Sequence, residues 1–437
     1  MSQSQKLYER ATKVMPGGIS RNTVYRKPHP LYSVEGKGCR VTDIDGNVRI
    51  DFSNNMASLI HGHAHPKIVE AVNQQMRRGS AFATATEAEV QFAELLCDRI
   101  PSVDKIRFVN SGTEAVMACI KASRAFTGRS KLVKVEGAYH GSYDYAEVSQ
   151  TAKPENWGDE NQPTSVPVVS GTPAGALDDV IVIPFNDWPR TQAILDNHAS
   201  DVACILIDPL PHRVGFSAAS PEFVRNLYQW TRRNGALFVF DEVITFRNEY
   251  SGMQSNYDER PDLTALGKVI GGGFPVGAFA GRQEIMDILD PGKDQLPMPH
   301  SGTFSANPIT MTAGRVAMEL FDREAVSKMN QLGDYARSQI GQAISNSGFP
   351  ASIAGAGSMF RVHLKPELPV EYRACYSAPA ELRLVRALVD HLFDSGFMLI
   401  NTCSGTLSTA MTENEIDALA ESIESGLKKL ELPVAAK

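Results

Sequence analysis

The sequence predicts an α/β protein with a mainly parallel central sheet and a second, smaller α+β domain. Between about residues 60 and 320, short apolar runs alternate with amphipathic segments, which is typical of β-α units. Outside this region the pattern changes to a loop with a hairpin on one side and to long helices with short strands on the other. The 437 residues are enough to bury a large core in more than one domain.

Five apolar runs in the middle of the chain are predicted strands. They cover residues 106–109, 132–135, 180–184, 204–207 and 237–240. A helix is predicted between the last two, because Phe223, Leu227 and Trp230 recur at helical spacing and Gly235 is a typical C-terminal stop. Strand, helix and strand in this order form the unit from which parallel sheets are built.

Three regions are predicted along the chain. Residues 1–60 form an N-terminal segment that packs with the small domain, and the alternating stretch 38–52 predicts a hairpin that turns at Asp45 and Gly46. Residues 61–320 form the large cofactor-binding domain and residues 321–437 the C-terminal small domain. In that last region we expect helices at 380–394 and 413–432 and strands at 359–364 and 398–400.

Composition argues against several classes of partner. The net charge of −7 comes from 43 basic and 50 acidic side chains without a long run of either sign, so neither nucleic acid nor a membrane surface is predicted as a partner. The first residues contain no apolar secretory core, which predicts a cytoplasmic location. The six cysteines are far apart and are predicted to be free thiols.

The first candidate site follows the predicted strand 106–109. The segment Asn110-Ser111-Gly112-Thr113-Glu114-Ala115 leads from this strand into a helix-compatible run. A helix N-terminus preceded by small residues presents unpaired backbone N–H groups and the positive end of the dipole, and Ser111 and Thr113 add hydroxyl groups. Two interpretations remain open for the motif alone: a phosphate site and an ordinary helix cap.

Two further candidates lie downstream. Asp241 ends the predicted strand 237–240 at the edge where open parallel sheets bind ligands, and a buried carboxylate there needs a cationic partner or hydrogen bonds. Lys268 lies in a glycine-rich, apolar segment, where burial lowers the pKa of the amine and favours Schiff-base chemistry. An ordinary strand-end aspartate and a surface lysine are the alternatives. The order of the three features favours a cofactor site.

Six blocks of the sequence together resemble one family. They are PGGISR, GHAHPKIVEAV, RFVNSGTEAVMACIKASRAFTGRSKLVKVEGAYHG, VFDEVITFR, PDLTALGKVIGGGFPVGAFAGR and HSGTFSANP. In this order they resemble the class III aminotransferases, in the branch of the glutamate-1-semialdehyde aminomutases and β-amino acid aminotransferases. The resemblance implies the aspartate aminotransferase-like fold type I, with a mainly parallel seven-stranded sheet in the large domain. It also implies pyridoxal 5'-phosphate (PLP) as the cofactor.

The resemblance assigns expected roles around the cofactor. The phosphate is expected to lie against three consecutive residues, Ser111, Gly112 and Thr113. Tyr139 is expected to stack on the ring, beside His140, which shapes the pocket. Val243 is expected to pack on the other face, and Asp241 to pair with the ring nitrogen.

Catalysis and assembly follow from the same resemblance. Lys268 is expected to form the Schiff base and to carry the proton, so that Lys268, Asp241 and Tyr139 are the predicted catalytic residues. Thr303 is expected to reach the phosphate of a neighbouring subunit's cofactor. That role implies a homodimer.

The resemblance also bears on the amino donor. Arg21 resembles the carboxylate-binding arginine of β-phenylalanine aminotransferases, and Arg26 is a competing candidate. Thr402 stands where those enzymes have a second arginine, and Cys403 where the aminomutases have a glutamate. We therefore expect transfer of an amino group from a β-amino acid or an amine to a keto acid.

Other functions remain open as alternatives. An aminomutase or racemase, or a transaminase of an unusual α-amino acid, would use the same residues, and a cofactor-binding module without catalysis is a different class. A dehydrogenase is not predicted, because the run Gly271 to Gly273 lacks both G-x-G-x-x-G spacing and a preceding predicted strand. No metal site is predicted at His61, His63 and His65, since no carboxylate or cysteine completes one at a suitable spacing.

Overall fold

The computed structural model describes residues 1–431, which are arranged around a seven-stranded sheet. In spatial order its strands are Lys105–Val109, Gly277–Gly281, Leu263–Gly267, Leu237–Asp241, Val202–Ile207, Lys131–Val135 and Val180–Ile183. Six strands run in one direction, and Gly277–Gly281 is antiparallel to both of its neighbours. The predicted α/β class and the mainly parallel seven-stranded sheet are confirmed.

Burial on both faces explains why the predicted strands are continuous apolar runs. Along Val202–Ile207, Cys204 and Leu206 join one hydrophobic cluster, whereas Ile205 and Ile207 join another on the opposite face. All five predicted strands are present, with ends that differ by one or two residues. The helix between the last two is also confirmed as Pro221–Asn234, with Gly235 closing it in the left-handed conformation at φ 64°.

Two strands of this sheet were not predicted. Leu263–Gly267 and Gly277–Gly281 are rich in alanine and glycine. Each contains a single β-branched or aromatic residue, Thr264 or Phe279, so the composition that marks a strand is weak. The expectation that no strand precedes the Gly271 to Gly273 run is therefore wrong. Only the missing G-x-G-x-x-G spacing still argues against a dinucleotide motif there.

The N-terminal segment shares a sheet with the C-terminal region. Its strands are Ser33–Lys37, Arg40–Asp43 and Val48–Asp51, and Phe397–Met398 pairs in parallel with the last of them. The predicted hairpin is present, with Gly46 at φ 88°. A separate three-stranded sheet contains Ser352–Ala354, Met359–His363 and Ser404–Thr406. The domain boundaries at residues 60 and 320 stay a prediction.

The helices flank these sheets. The α-helices are Gln3–Ala11, Pro66–Met76, Glu87–Arg99, Gly112–Thr127, Asp144–Glu147, Ala174–Asp178, Trp188–Leu195, Pro221–Asn234, Gln283–Met286, Pro308–Leu320, Arg323–Ser347, Tyr372–Cys375, Pro379–Asp394 and Glu413–Lys428. Asn54–Ala57 is a single helical turn of left-handed conformation. Short 3-10 helices are Pro16–Gly18, Asn22–Val24, Asp196–His198, Thr245–Asn248, Met253–Asn256, Lys268–Gly271 and Asp287–Leu289, and a small hairpin joins Gly158–Asp159 to Gln162–Pro163. The predicted end of the last helix, Leu432, lies outside the described residues. Within residues 1–431 we find no helix with the length and apolar character needed to cross a membrane.

Candidate active site

A cavity of about 360 Å³ opens at the carboxyl ends of the central parallel strands. It is lined by Arg21, Asn55, Ser58, Asn110, Ser111, Gly112, Thr113, Val116, Tyr139, His140, Gly141, Asp208, Asp241, Val243, Ile244, Lys268, Gly273, Phe274, Pro275 and Val276. The structure thus brings together most of the predicted site residues, namely Arg21, Ser111, Gly112, Thr113, Tyr139, His140, Asp241, Val243 and Lys268. Arg26 and Thr303 do not line it.

One end of the cavity is the N-terminus of the helix Gly112–Thr127. The extended Ser111 caps this helix by accepting a hydrogen bond from the backbone N–H of Glu114 at 3.2 Å. The N–H groups of Gly112 and Thr113 have no acceptor among the described residues. A helix start with unpaired N–H groups that face a cavity suits an anionic group such as a phosphate.

Glycines allow the backbone to approach closely at this end. A Cβ at position 112 would lie 2.7 Å from Val243 Cγ1, and one at position 277 would lie 2.0 Å from the carbonyl oxygen of Ser111. Side chains at either position would push these elements apart. The small residues of the predicted phosphate segment therefore keep Val243 against the helix start.

Asp241 and His140 form a buried pair on the cavity wall. His140 Nδ1 lies 2.8 Å from Asp241 Oδ2, and the backbone N–H of Val243 donates to Asp241 Oδ1 at 3.0 Å. Burial lowers the pKa of His140, although Asp241 opposes that shift. Because a carboxylate only accepts hydrogen bonds, Nδ1 is the donor in this pair, and the bond orients Asp241 within the cavity.

Asp208 is a lining residue that the sequence interpretation did not select. It follows the strand Val202–Ile207, whose Ile207 pairs with Phe240, so Asp208 lies beside Asp241 on the neighbouring strand. Burial and the nearby Asp241 raise the pKa of Asp208 well above its usual range. The available signal was its position, because it ends a buried apolar strand just as Asp241 does.

Lys268 directly follows the strand Leu263–Gly267 and has a left-handed backbone at φ 48°. Lys268 lines the cavity, and its amine makes no hydrogen bond within the described part of the chain. Burial by the surrounding protein lowers the pKa of Lys268, while Asp241 and Asp208 oppose the shift. An amine with a lowered pKa and no protein partner is available to react with an aldehyde.

The aromatic side chain of Tyr139 is fixed by two neighbours. The ring of His212 meets it edge to face at a centroid distance of 5.9 Å, and the Arg213 guanidinium lies 5.3 Å from its centroid. Tyr139 and Val243 both line the cavity. Their roles on the two faces of a cofactor ring stay a prediction.

The two arginines proposed for substrate binding differ in their surroundings. Arg21 lines the cavity and donates from Nη1 to Asn55 Oδ1 at 2.8 Å. Arg26 instead pairs with Asp390 at 2.6 Å and stacks over the ring of Phe393 at 3.6 Å. Its guanidinium is therefore engaged outside the cavity, whereas Arg21 lines the cavity.

Thr303 is exposed on the surface and does not line the cavity of its own chain. This location is compatible with contact to a second subunit. Its predicted role toward a neighbouring cofactor stays a prediction.

The lining fits PLP on the properties described above. Unpaired N–H groups stand at one end for a phosphate, a buried carboxylate stands on the wall for a ring nitrogen, and a free amine is available for an aldehyde. Four parts of the lining were not predicted from the sequence: Asn55, Ser58, the segment 273–276 and Asp208. None of the first three has a sequence signal, because tertiary contacts alone bring them to the cavity.

Comparisons with known proteins agree with this fit. A family model described as "Aminotransferase class-III" matches residues 23–427. A glutamate-1-semialdehyde 2,1-aminomutase of Methanothermobacter thermautotrophicus is 38% identical over 365 residues, 83% of this chain and 84% of that protein. An omega-transaminase from Sphaerobacter thermophilus superposes with a TM-score of 0.95 at 43% identity, covering 98% of this chain and 97% of that chain. A β-phenylalanine aminotransferase from Variovorax paradoxus superposes with a TM-score of 0.86 at 31% identity, covering 97% and 93%.

Proposed function

Because this chain belongs to the class III aminotransferases and is a PLP-dependent transaminase, we propose that it transfers an amino group from a β-amino acid or an amine to a keto acid. We further propose that Lys268 holds the cofactor. The observation that carries the proposal is that Arg21 and Lys268 line the same cavity. A donor that reacts at Lys268 can therefore present a carboxylate to Arg21.

The residues around the cavity have separate roles in the proposed reaction. When bound, PLP supplies an aldehyde that exchanges with amines and a ring that takes up the electron pair left when a carbon loses its proton. Lys268 Nζ accepts the proton from the amine-bearing carbon of the donor and returns it in the reverse direction. The Asp241 carboxylate keeps the ring nitrogen protonated, and His140 holds that carboxylate in place. The N–H groups of Gly112 and Thr113 bind the phosphate.

The number of arginines in the cavity supports the choice of donor. A donor or acceptor with two carboxylates needs a cation or hydrogen bonds for each of them, whereas only Arg21 lines this cavity among the arginines of residues 1–431. A β-amino acid needs one carboxylate anchor, and a plain amine needs none. Two similar proteins named as an omega-transaminase and a β-phenylalanine aminotransferase support the same choice.

An aminomutase is the second candidate, because the curated relative at 38% identity is a glutamate-1-semialdehyde 2,1-aminomutase. The residue at the position of the aminomutase glutamate, Cys403, is fully buried and does not line the cavity. No carboxylate therefore acts from this position. A racemase, and a transaminase of an unusual α-amino acid, would share the same lysine and are further outcomes of the test below.

A homodimer is part of the proposal, with Thr303 directed to the partner's cofactor phosphate. Its exposure in the single chain supports this arrangement. The matching prediction is that the purified protein elutes at twice its 47.6 kDa chain mass. The predicted cytoplasmic location is retained as a proposal.

A panel of amino donors tests the reaction. The purified holoenzyme is mixed with α-amino acids, β-amino acids and plain amines in the absence of acceptor, and the cofactor absorbance is followed. We expect stable bleaching with β-amino acids and amines, followed by recovery on addition of a keto acid. Bleaching by α-amino acids alone would contradict the proposed donor, and rapid spontaneous return of the absorbance would favour an aminomutase or racemase.

A further inference from the structure

The segment Asn54–Ala57 has a backbone conformation that L-residues rarely adopt. Its four residues Asn54, Asn55, Met56 and Ala57 have φ values of 44°, 48°, 57° and 69°. Asparagine tolerates this left-handed region, but methionine and alanine do so only at a cost of about 1–2 kcal/mol per residue. Such strain persists only where the surrounding structure enforces it, and it clusters at functional sites.

Buried contacts from distant parts of the chain enforce the left-handed turn. Asp51 Oδ1 accepts hydrogen bonds from the N–H groups of Ser53 and Asn54, each at 2.9 Å. Asn54 Nδ2 donates to the carbonyl oxygen of Thr406 at 2.7 Å. The fully buried Arg247 donates from Nη1 to the carbonyl oxygen of Ala57 at 3.1 Å. Both ends of the turn are thus anchored to the core.

The strained turn places the side-chain amide of Asn55 at the cavity. Asn55 Oδ1 accepts the hydrogen bond from Arg21 Nη1 at 2.8 Å. On its other side, Asn55 Nδ2 donates to Ser58 Oγ at 3.1 Å, and Ser58 Oγ donates to the carbonyl oxygen of Asn55 at 2.9 Å. Asn55, Ser58 and Arg21 all line the cavity. The amide is therefore held at both ends, with its oxygen directed to the guanidinium.

This contact leaves the opposite edge of the Arg21 guanidinium open. Nε and Nη2 of Arg21 have no acceptor among residues 1–431. That edge carries two parallel N–H groups, which is the arrangement that binds a carboxylate with two hydrogen bonds. A neutral amide can orient the guanidinium without neutralising its charge, whereas a carboxylate at position 55 would compete with the substrate for it.

We propose that Asn55 is a specificity-determining residue, which fixes Arg21 so that its Nε and Nη2 edge meets the carboxylate of the amino donor. This inference rests on the proposed function, since it assumes that Arg21 binds that carboxylate. It adds a second residue and a physical reason for the strain in the turn Asn54–Ala57. Without the Asn55 amide, the exposed Arg21 side chain samples other rotamers and binds carboxylates less well.

The first test replaces Asn55 by aspartate, which has the same shape and also tolerates a positive φ. The readout is the ratio of kcat/KM for β-phenylalanine to kcat/KM for 1-phenylethylamine, a donor without a carboxylate. We expect Asn55→Asp to lower this ratio about tenfold, mainly through the KM of β-phenylalanine, because the new charge pairs with Arg21 and repels the substrate. Asn22→Asp is the matched control, since Asn22 is exposed, lies outside the cavity and makes no side-chain hydrogen bond in the described chain. It should leave the ratio unchanged.

The second test removes the amide without straining the backbone. Asn55→Gly suits the observed φ of 48° and should lower the same ratio about threefold. Calorimetric titration of the holoenzyme with 3-phenylpropanoate, which has the carboxylate but no amine, should show a weaker Kd in both Asn55 variants than in Asn22→Asp. This binding measurement does not depend on turnover.

Arg21→Met separates the two proposals. If Arg21→Met lowers the ratio and weakens 3-phenylpropanoate binding while both Asn55 variants match Asn22→Asp, the inference about Asn55 is wrong and the proposed function stands. If Arg21→Met leaves both readouts unchanged, the carboxylate anchor is wrong and the Asn55 inference is lost with it. Equal losses for the amine and the β-amino acid in the Asn55 variants would also overturn the inference.

Discussion

Two lysines removed from bulk water in the large domain, Lys134 and Lys268, have different surroundings. Lys134 is fully buried on the strand Lys131–Val135, and its amine donates to the carbonyl oxygens of Ala138 at 3.1 Å and Val148 at 2.5 Å. Lys268 lines the cavity and has no hydrogen-bond partner among residues 1–431. Burial lowers the pKa of both, that of Lys134 to about 7.

The difference shows that a lowered lysine pKa does not by itself identify a reactive amine. The Lys134 amine donates to the carbonyl oxygens of Ala138 and Val148, which precede and follow Tyr139 and His140 in the sequence. Its role is therefore to hold the segment that carries these two lining residues. Burial also lowers the pKa of Lys268, but its amine has no such acceptors among residues 1–431, and Asp241 and Asp208 lie near it. Access to a cavity and the lack of protein partners among the described residues distinguish Lys268, the proposed reactive lysine, from Lys134.

The largest effect is expected for loss of the Lys268 amine. Lys268→Ala should lower kcat/KM by about 10³-fold or more, because it removes both the covalent anchor and the proton carrier. Lys134→Met should retain turnover. Borohydride reduction of the holoenzyme followed by peptide mapping should place the reduced cofactor on Lys268 in the wild type and in Lys134→Met. Reduced cofactor on Lys134, or on any lysine other than Lys268, would contradict the assignment of Lys268 as the reactive lysine.

A smaller effect is expected from the carboxylates near Lys268. Asp241→Asn should lower kcat about 10²-fold, since an amide does not balance the charge on the ring nitrogen. Asp208→Asn should cost less than Asp241→Asn, because burial and the nearby Asp241 raise the pKa of Asp208 and disfavour its charged form. The check is steady-state kinetics of both variants with one donor. Equal losses would show that the two carboxyl groups share the role.

In contrast to Lys268, Lys134 is expected to contribute to the stability of the fold. Lys134→Met removes the donors to the buried carbonyls of Ala138 and Val148 and should cost about 1–3 kcal/mol in the free energy of unfolding. The denaturation midpoint of the holoenzyme measures this loss. Lys121→Met is the matched control, because Lys121 is exposed on the helix Gly112–Thr127 and should tolerate the change. Equal midpoints for the two variants would contradict a structural role for Lys134.

The smallest effect is a dependence of stability on pH. An unfolded lysine keeps its proton to about pH 10.4, whereas the folded Lys134 loses it near pH 7. Between these values the unfolded chain binds more protons, so stability rises with pH, by at most about 1.4 kcal/mol per pH unit. From pH 7 to pH 8 the midpoint of the wild type should therefore rise relative to that of Lys134→Met. If the difference between the two midpoints is the same at pH 7 and pH 8, the carbonyl oxygens keep the Lys134 amine charged in the folded protein.

The sequence predicted the parts of the molecule whose signal is local. Strands buried on both faces, such as Val202–Ile207, are continuous apolar runs and were found, as were Asp241 at a strand end and the small residues at the start of the helix Gly112–Thr127. Gly277–Gly281 was missed because its alanines and glycines carry no strand signal. Its conformation is fixed by pairing with Leu263–Gly267 and Lys105–Val109.

The lining residues from the N-terminal segment, Arg21 and Asn55, were harder to predict than those at strand ends and helix starts. The left-handed turn Asn54–Ala57 contains Met56 and Ala57, residues whose local preference opposes a positive φ. Contacts from Arg247 and Thr406, far away in sequence, impose that conformation. Arg26 was a competing candidate to Arg21 in the sequence, and its contacts with Asp390 and Phe393 could not be predicted from local signals.

The parallel pairing of Val48–Asp51 with Phe397–Met398 has a consequence for biosynthesis. The two partners leave the ribosome about 350 residues apart, which corresponds to roughly 20–70 s of translation. During that time the nascent N-terminal hairpin lacks its last neighbour and keeps an open edge, whereas the seven-stranded sheet has all its strands once residue 281 has been made. Chaperone protection should therefore matter most for stalled or truncated chains that end before residue 397.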